Sequence, residues 1–307
     1  MKFALVMPTR NAGAGLDAWF AALAQQTLAP TQVVIIDSAS VDGTAERARE
    51  AGCLVHGIAV ADFNHGGSRN LGISLLDADV EVAVLMTQDA ILHDPQALQT
   101  LLAAFADPDV AAAYGRQLPH ENANPLAAHA RLFNYPAASA VKGQEDIAQM
   151  GIKTAFISNS FAAYRLSAWR AAGGFPENMI LAEDMHLAAR LILAGYKIAY
   201  CAEATVRHSH NYSPVQEFRR YFDTGVFHRE AGWIHEHFGG ATGEGKRFVL
   251  SEWRYLWRHA PLWLPLSPVF TLAKWTGYQL GRQWPKVPRG LLFKFSMNRQ
   301  FWRKHLL

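Results

Sequence analysis

Two adjacent carboxylates, Glu183 and Asp184, stand at the start of the segment ILAEDMHLAARLILAG, which reads as a helix that Gly195 ends. The first turn of a helix favours ionised carboxylates, because its free N–H groups and its dipole attract negative charge. An ionised carboxylate beside a substrate hydroxyl can accept the hydroxyl proton and act as a general base. We therefore take Asp184 as a candidate catalytic base. The alternative is the ordinary preference for acids at a helix start, without chemistry.

A third carboxylate, Asp89, follows the apolar run in VLMTQDAIL, and the segment VRHSHNYS carries His208 and His210 two residues apart. An extended backbone would put both histidines on one face. Magnesium and manganese prefer oxygen ligands and often take only one or two from protein, so Asp89 could hold Mg²⁺ or Mn²⁺ against a diphosphate. Either histidine could complete the site. Alternatively, Asp89 caps the helix that begins near Pro95 and the histidines are structural.

The stretch FNHGGSRNLG, residues 63 to 72, concentrates hydrogen-bonding groups around two adjacent glycines. Glycine lacks a Cβ and lets another molecule approach the backbone, where Arg69 and Asn70 could then donate hydrogen bonds. This pattern indicates a turn that faces a ligand. The alternative is a helix N-terminus with Asn64 or Ser68 as its cap and Arg69 in solvent.

Strand-like apolar runs alternate with helix-like segments over the first 115 residues, which predicts an α/β fold with a mostly parallel central sheet and helices on both faces. Ligands of such sheets bind beyond the carboxyl ends of the strands. Asp37 ends one run and could accept the ring N–H of a uracil or thymine, or could instead cap the next turn. The other residues that follow a run and become candidates are Pro8, Thr9, Arg10, Gln88 and Asp89.

The later part of the chain has a different pattern. Residues 116 to 160 are rich in Asn, Ala and Pro and are predicted to form a long loop over a site. TAFISNSFAAYRL, SAWRAAGGF and YKIAYCAEATVRHSHNYS are predicted as a strand, a short helix and a strand.

Composition excludes several classes of protein. Half of the 307 residues are hydrophobic and 18% are charged, which is typical of a globular protein. The only cysteines, Cys53 and Cys201, form no Cys-x-x-Cys pair, which fits a reducing compartment and argues against a zinc site. The N-terminus has no cleavage-site pattern and is predicted to be a strand and not a signal peptide. Gly13 and Gly15 lack the third glycine of a dinucleotide fingerprint, so an NAD-dependent enzyme is disfavoured.

The net charge of +3 divides unevenly, since residues 1–245 carry −8 and residues 246–307 carry +11. We predict a catalytic domain over 1–245 and a C-terminal extension over 246–307. The extension mixes tryptophans with Arg and Lys, which is typical of segments that lie in the headgroup layer of a membrane. Nucleic acid is not expected as a partner, because the acidic body would repel it. The alternative is a helical extension that packs on the body or on a second subunit.

Six segments in chain order resemble the inverting glycosyltransferases of family 2, which have the GT-A fold. They are VMPTRN, VVIIDSAS with the following DGT, FNHGGSRNLG, LMTQDA, GGFPENMILAEDMHLAARLILAGYKI and RHSHNYS, and they cover about the first 215 residues. The variants FNHGGSRN and TQDA, with LLFKFSMNRQFW near the end, are similar to bacterial rhamnosyltransferases, whose donor is dTDP-L-rhamnose. The chain departs from the family at Thr87, where the Asp-x-Asp motif has its first aspartate, and at Ser38, where many relatives have a second Asp.

The resemblance implies a role for each matching residue. Asp184 would be the general base, and Asp89 would bind the metal, with His208 or His210. Glu183 or Trp169 would help to place the acceptor. The pyrimidine nucleoside would be held by Pro8, Thr9, Arg10, Asp37 and Gln88, and the donor sugar and diphosphate would face His65, Gly66, Arg69 and Asn70.

These roles describe a transfer of L-rhamnose to a hydroxyl of a lipid-linked saccharide in cell-surface polysaccharide synthesis, of the O-antigen or capsule type. The basic extension would hold the enzyme on the cytoplasmic face of the cell membrane as a peripheral protein. Two alternatives remain. One is a family 2 enzyme with a UDP-hexose donor, and the other is a nucleotide-sugar-binding protein without catalysis.

Overall fold

The computed structural model describes residues 1–240 and 243–306. Nine strands of these residues form one sheet. Their bounds are β1 (Phe3–Thr9), β2 (Val33–Asp37), β3 (Leu54–Gly57), β4 (Val82–Met86), β5 (Ile91–Leu92), β6 (Val110–Leu118), β7 (Ala140–Lys142), β8 (Phe161–Arg165) and β9 (Lys197–Arg207).

Helices follow most of the strands and then dominate the C-terminal part of the chain. The first eight are α1 (Gly15–Ala24), α2 (Thr44–Glu50), α3 (His65–Ser74), α4 (Ala97–Ala103), α5 (Pro125–Asn134), α6 (Ile147–Met150), α7 (Leu166–Ala171) and α8 (Glu183–Leu193). The remaining ones are α9 (Pro214–Glu230), α10 (Gly232–Phe238), α11 (Glu244–His259), α12 (Ser267–Arg282), α13 (Arg289–Phe295) and α14 (Arg299–His305).

The sheet has the order β3-β2-β1-β4-β8-β6-β9-β5, and β7 also pairs with β9. Strands β3, β2, β1 and β4 are parallel neighbours, and so are β6 and β9. Strand β8 is antiparallel to both β4 and β6, so those two strands run in the same direction. Most strands therefore share one direction, and the predicted α/β sheet is confirmed.

Alternating side chains of the strands fill two hydrophobic layers, one on each face of the sheet. In β1, Ala4 and Val6 belong to one buried cluster, whereas Leu5 and Met7 belong to the other. This period of two follows from the pleat of a strand, and burial on both faces explains why the strand reads as a continuous apolar run. Both faces need helices to cover them, which agrees with the prediction.

The segment predicted as a long loop, residues 116 to 160, contains two unpredicted helices, α5 and α6, and residues of strands β6 and β7. Strand β6 continues to Leu118, and α5 occupies 125 to 134. Asn124 caps α5 by accepting a hydrogen bond from the N–H of Ala127, and Pro125 takes the first helical position, where a missing N–H costs nothing. The expected long loop is thus wrong for this part, because the Asn-Pro pair that reads as a turn is a helix start.

Helices α9 and α12 pack backbone against backbone. A Cβ at Gly277 would lie 2.2 Å from the carbonyl oxygen of Phe218, and one at Gly281 would lie 2.0 Å from that of Phe222. Helix α13 and helix α14 bury Leu292 and Trp302 in the same hydrophobic cluster as Val6 of the sheet. Residues 246–306 therefore pack closely on the part of the chain that precedes them.

Candidate active site

A cavity of about 540 Å³ opens where β4, β6 and β9 end and α3, α5, α8 and α9 begin. This volume lies in the range of ordinary small-molecule sites. Asp89 and Asp184, almost a hundred residues apart in the chain, both line the cavity. The other predicted site residues on its wall are His65, Arg69, Glu183, His208 and His210.

The glycine-rich stretch combines features of both sequence hypotheses. Helix α3 begins at His65, and Asn64 caps it through a hydrogen bond from the N–H of Gly67. Arg69 is buried, however, and does not point into solvent. A Cβ at Gly66 would lie only 2.0 Å from the carbonyl oxygen of Pro176, so the backbone that approaches this glycine belongs to the chain itself.

Arg69 forms a buried ion pair with Glu183 on the cavity wall. One guanidinium nitrogen, Nη1, lies 3.1 Å from Oε1 of Glu183 and also donates a 2.9 Å hydrogen bond to the carbonyl oxygen of His65. The side-chain amide of Asn159 donates to the same Glu183 oxygen over 3.0 Å. Burial opposes charge on Glu183, but Arg69 and these donors outweigh it and lower the pKa of Glu183. The pair links α3 to the start of α8.

Asp184, next to this pair, accepts two main-chain hydrogen bonds. Its Oδ2 accepts from the N–H of Asn159 over 3.0 Å, and its Oδ1 accepts from the N–H of Met185 over 2.8 Å. Burial and the negative charge of Glu183 nevertheless raise the pKa of Asp184 to about 6. A carboxylate with that pKa is ionised at neutral pH and more basic than an ordinary aspartate, as a general base requires.

Backbone strain marks the residue that precedes these carboxylates. Ala182 has a φ of 59° and lies in the left-handed region, which residues other than glycine seldom adopt. Such conformations persist only where surrounding contacts hold them, and they cluster at functional sites. Here the turn at Ala182 starts α8 with Glu183 and Asp184 in its first turn.

Asp89, His208 and His210 bring three ligand atoms within 4.8 Å of one another. Nε2 of His208 lies 3.4 Å from Oδ2 of Asp89, and Nε2 of His210 lies 3.7 Å from the same oxygen. Ligand atoms bound to one ion at 2.0 to 2.1 Å stand about 3 Å apart, so a small contraction would suffice. Burial, with a contribution from His208, lowers the pKa of His210 to about 4, which keeps that imidazole neutral at neutral pH.

Gln117 fixes the tautomer of His208. The guanidinium of Arg131 can only donate, so the atom of Gln117 that it contacts is the amide oxygen. This oxygen also accepts from Nδ1 of His208 over 2.9 Å. The lone pair on Nε2 of His208 then faces Asp89, which is unfavourable unless a proton or a cation lies between the two atoms. The donor set therefore fits a divalent cation.

The predicted nucleoside residues meet at the carboxyl ends of β1 and β2 and just after β4, beside the cavity. Thr9 and Asp37 are partners in the parallel register, and the Thr9 hydroxyl donates to Asp37 over 3.2 Å. The Gln88 side chain pairs with the main chain of Arg10 through hydrogen bonds of 2.8 and 3.1 Å. Asp37 also accepts from the N–H of Ser40 and so caps the following turn. Pro8 precedes Thr9 in β1.

Asn70 and Trp169 also lie outside the lining of the cavity. The side chain of Asn70 donates to the carbonyl oxygen of Phe175 over 2.9 Å and accepts from the N–H of Phe175 over 2.9 Å. Trp169 packs against the hydrophobic cluster and touches Gly174. Both residues hold the segment that leads to α8.

The sequence-based hypotheses did not include several residues that the cavity requires. Gln117, Asn159 and Arg131 each make one of the contacts described above, and Arg220 and Lys274 line the wall from α9 and α12. For Arg220, the one available signal is its position four residues before Thr224, which puts the two side chains on the same face of α9. The others depend on strand register and tertiary packing, which leave no local pattern.

The C-terminal helices present a basic surface with exposed apolar side chains, which we call the C-terminal surface. Its exposed apolar residues include Trp253, Trp257, Leu262, Leu272 and Trp275. An apolar groove of about 540 Å³ lies beside them between α9, α12 and α13. Across residues 1–240 and 243–306, no helix combines the length and apolar character that crossing a bilayer demands.

The sequence profile described as Glycosyl transferase family 2 matches residues 4–171. The chain belongs to this family. It is also 52% identical over 304 residues to the O-antigen chain rhamnosyltransferase RfbN of Salmonella typhimurium, a match that covers 98% of this chain and 96% of the relative. It is 52% identical over 302 residues to the O-antigen chain rhamnosyltransferase WbaN of Salmonella anatum, with the same coverage. The predicted resemblance to family 2 and to its bacterial rhamnosyltransferases is confirmed.

Solved structures confirm the GT-A type of fold. The mannosyltransferase PcManGT from Pyrobaculum calidifontis, solved with GDP-Man and Mn²⁺, superposes with a TM-score of 0.57 over 99% of this chain and 87% of its own, at 18% identity. Residues 1–349 of S. aureus TarS, solved with UDP, give a TM-score of 0.52 over 92% of this chain and 90% of that one, at 16% identity. These identities are low, so the likeness concerns the fold alone.

Proposed function

We propose that this family 2 enzyme is a rhamnosyltransferase of O-antigen synthesis. The observation that carries the proposal is the 52% identity to RfbN, which extends over nearly the full length of both chains. The cavity adds chemical support, because its lining includes the candidate base Asp184 and the candidate metal ligands Asp89, His208 and His210.

The proposed donor is dTDP-L-rhamnose. Asp37 would accept the ring N–H of thymine at the carboxyl end of β2, with Pro8, Thr9, Arg10 and Gln88 around the nucleoside. His65, at the start of α3, would lie nearest the sugar and diphosphate, whereas Gly66 packs against Pro176 and would act only by allowing that contact. Arg69 would act there indirectly, since it is already paired with Glu183. A UDP-hexose is the alternative donor, because the N–H that Asp37 would bind is common to uracil and thymine.

The proposed reaction is an inverting transfer in one displacement. The acceptor hydroxyl attacks the anomeric carbon on the face opposite the leaving dTDP, and Asp184 accepts its proton. A new bond joins the acceptor oxygen to the sugar, and the bond between the sugar and the diphosphate breaks. The two main-chain N–H groups that bind Asp184 orient the carboxylate, while burial keeps it basic.

Asp89, His208 and His210 would hold a divalent cation, which supplies positive charge beside the diphosphate when bound. Gln117 keeps the lone pair of His208 Nε2 directed toward that position. Two imidazoles beside one carboxylate form a softer donor set than Mg²⁺ prefers, so we favour Mn²⁺.

The acceptor would be a lipid-linked saccharide, reached at the inner face of the cell membrane. The C-terminal surface combines exposed tryptophans with the +11 charge of residues 246–307, and such surfaces suit anionic headgroups. We place the catalytic part in residues 1–245 and the membrane-contacting part in 246–307. Phe248 and Lys274 of that second part also line the cavity, which would couple membrane contact to the acceptor side.

The experiment measures thermal stabilisation of the purified protein by dTDP and by UDP, each with and without Mn²⁺, and then sugar transfer from dTDP-L-rhamnose. We expect dTDP with Mn²⁺ to raise the melting temperature most, since it would occupy the nucleoside, diphosphate and metal sites together. Stronger stabilisation by UDP, with transfer from a UDP-hexose, would favour the alternative donor. Stabilisation by NAD alone would overturn the proposal.

A further inference from the structure

Helix α9 contributes residues to the cavity wall at helical spacing. Glu217, Arg220, Tyr221 and Thr224 follow one another at intervals of three, one and three residues and all face the cavity. Arg219, the neighbour of Arg220, turns away, because it lines the apolar groove and donates from Nε to the carbonyl oxygen of Lys294 over 2.9 Å. Two adjacent arginines of one helix thus serve different surfaces.

Three other cations of the cavity wall already have partners. Arg69 pairs with Glu183, and Arg131 donates to Gln117. Lys274 lies 3.6 Å from Glu217. Carboxylates compensate the charges of Arg69 and Lys274, and Arg131 donates to a neutral amide of the protein.

Arg220 is different from these three. Within residues 1–240 and 243–306, its guanidinium makes neither an ion pair within 4.0 Å nor a side-chain hydrogen bond, and the side chain is exposed to the cavity. Arg220 lines the same cavity as His65, at the start of α3, and as the candidate metal ligands Asp89, His208 and His210. Its guanidinium therefore shares one cavity with the start of α3 and with the candidate cation site.

A planar guanidinium that shares a cavity with a helix N-terminus and a candidate cation site suits a phosphate group, which it can bind through two parallel hydrogen bonds. Resting on the function proposed above, we propose that Arg220 binds the diphosphate of the nucleotide sugar and stabilises the charge that grows there as the bond to the sugar breaks. A fixed donor at the site of developing charge contributes to the rate because it needs no reorganisation.

The test compares Arg220→Gln with Arg219→Gln, a matched control that removes the same charge from another face of the same helix. Binding of dTDP and of thymidine is measured by calorimetry with saturating Mn²⁺, together with kcat for rhamnosyl transfer. We expect Arg220→Gln to weaken dTDP binding by about 10- to 100-fold, the range of one charged hydrogen-bonding partner, and to lower kcat. Thymidine binding, and all values for Arg219→Gln, should stay near wild type.

Arg220→Lys should recover part of the dTDP affinity, because it restores the charge without the planar fork. Unchanged dTDP affinity in Arg220→Gln would overturn the inference, and so would a fall in kcat alone, which would place Arg220 on the acceptor side. Failure of the wild-type protein to bind dTDP would instead count against the proposed donor. The two failures are therefore distinguishable.

Discussion

The main-chain N–H of Asn159 donates a hydrogen bond to Oδ2 of Asp184 over 3.0 Å, while the side-chain amide of the same residue binds Glu183. One asparagine thus holds both carboxylates at the start of α8. The hydroxyl of Tyr164 donates to Oδ1 of Asn159 over 2.8 Å and fixes that amide in turn. The candidate base is therefore positioned from the sheet, through β8, and not by its own helix alone.

Asp184→Asn tests the role of the base. The amide keeps the size of the carboxylate but cannot accept the hydroxyl proton, so kcat should fall by about 10²- to 10⁴-fold. Binding of dTDP with Mn²⁺, measured by calorimetry, should stay within a few-fold of wild type. Full turnover in this variant would eliminate Asp184 as the base, whereas absence of turnover in wild type would favour a binding protein without catalysis.

The pH profile tests the ionisation of the same residue. Burial and the charge of Glu183 raise the pKa of Asp184 to about 6, and the base works only when it is deprotonated. Activity should therefore be lost as the pH falls through about 6 and should level off above about 7. The measurement is kcat from pH 5 to 8 at saturating Mn²⁺ and donor. A constant kcat across this interval would contradict the assignment.

Part of the site could be predicted from the sequence. Asp89, His208 and His210 follow strands whose carboxyl ends share one edge of the sheet, so their convergence follows from the alternating pattern of strands and helices. Gln117 could not be found this way. It meets His208 because β6 and β9 pair in a register that places Gln117 opposite Val206, and no local pattern encodes that register.

The glycine-rich stretch illustrates the same limit. The sequence pattern predicts that another molecule approaches Gly66. The atom that requires glycine there is instead the carbonyl oxygen of Pro176, more than a hundred residues away in the chain. The same holds for Arg69, whose burial depends on Glu183 of a distant helix. Residue type indicated that space and charge were needed at this turn, but only tertiary structure identifies the partner.

Gln117→Leu should weaken the metal site without touching a ligand. The change removes the acceptor that fixes the tautomer of His208, and loss of such supporting contacts lowers metal affinity by about 10- to 100-fold. Titration with Mn²⁺, followed by electron paramagnetic resonance, measures the change. Gln117→Glu keeps an acceptor for both His208 and Arg131 and should retain tight binding. Equal Mn²⁺ affinity in wild type and Gln117→Leu would disprove the positioning role.

Glu183→Gln should destabilise the fold, because it leaves the buried guanidinium of Arg69 without a countercharge. Breaking a buried pair in this way typically costs about 3 to 5 kcal/mol. Urea unfolding followed by circular dichroism measures the loss. The matched control is Glu46→Gln, which breaks the exposed pair with Arg49 and should change stability little. Similar stabilities for both variants would show that the Arg69–Glu183 pair contributes no more than a surface pair.

The proposed membrane contact can be tested by vesicle co-sedimentation. Trp257 is 74% exposed and Leu262 is 89% exposed on the C-terminal surface, beside the basic residues of α11. The double change to serine at these positions should reduce binding to anionic vesicles, because it removes the apolar groups that would enter the headgroup layer. Val41→Ser is the control, since Val41 is equally exposed, at 89%, but belongs to the acidic part of the chain.

Charge should contribute separately from apolar contact in the same assay. Binding should be stronger to vesicles with anionic lipid than to zwitterionic ones, and it should weaken as salt rises, because the basic residues act over about one Debye length. If wild-type binding does not depend on lipid charge, and the double serine variant binds as wild type does, the C-terminal surface contacts something other than a membrane. The exposed tryptophans would then fit the other hypothesis for the extension, packing against a second subunit, which the sedimentation velocity of the same samples would reveal.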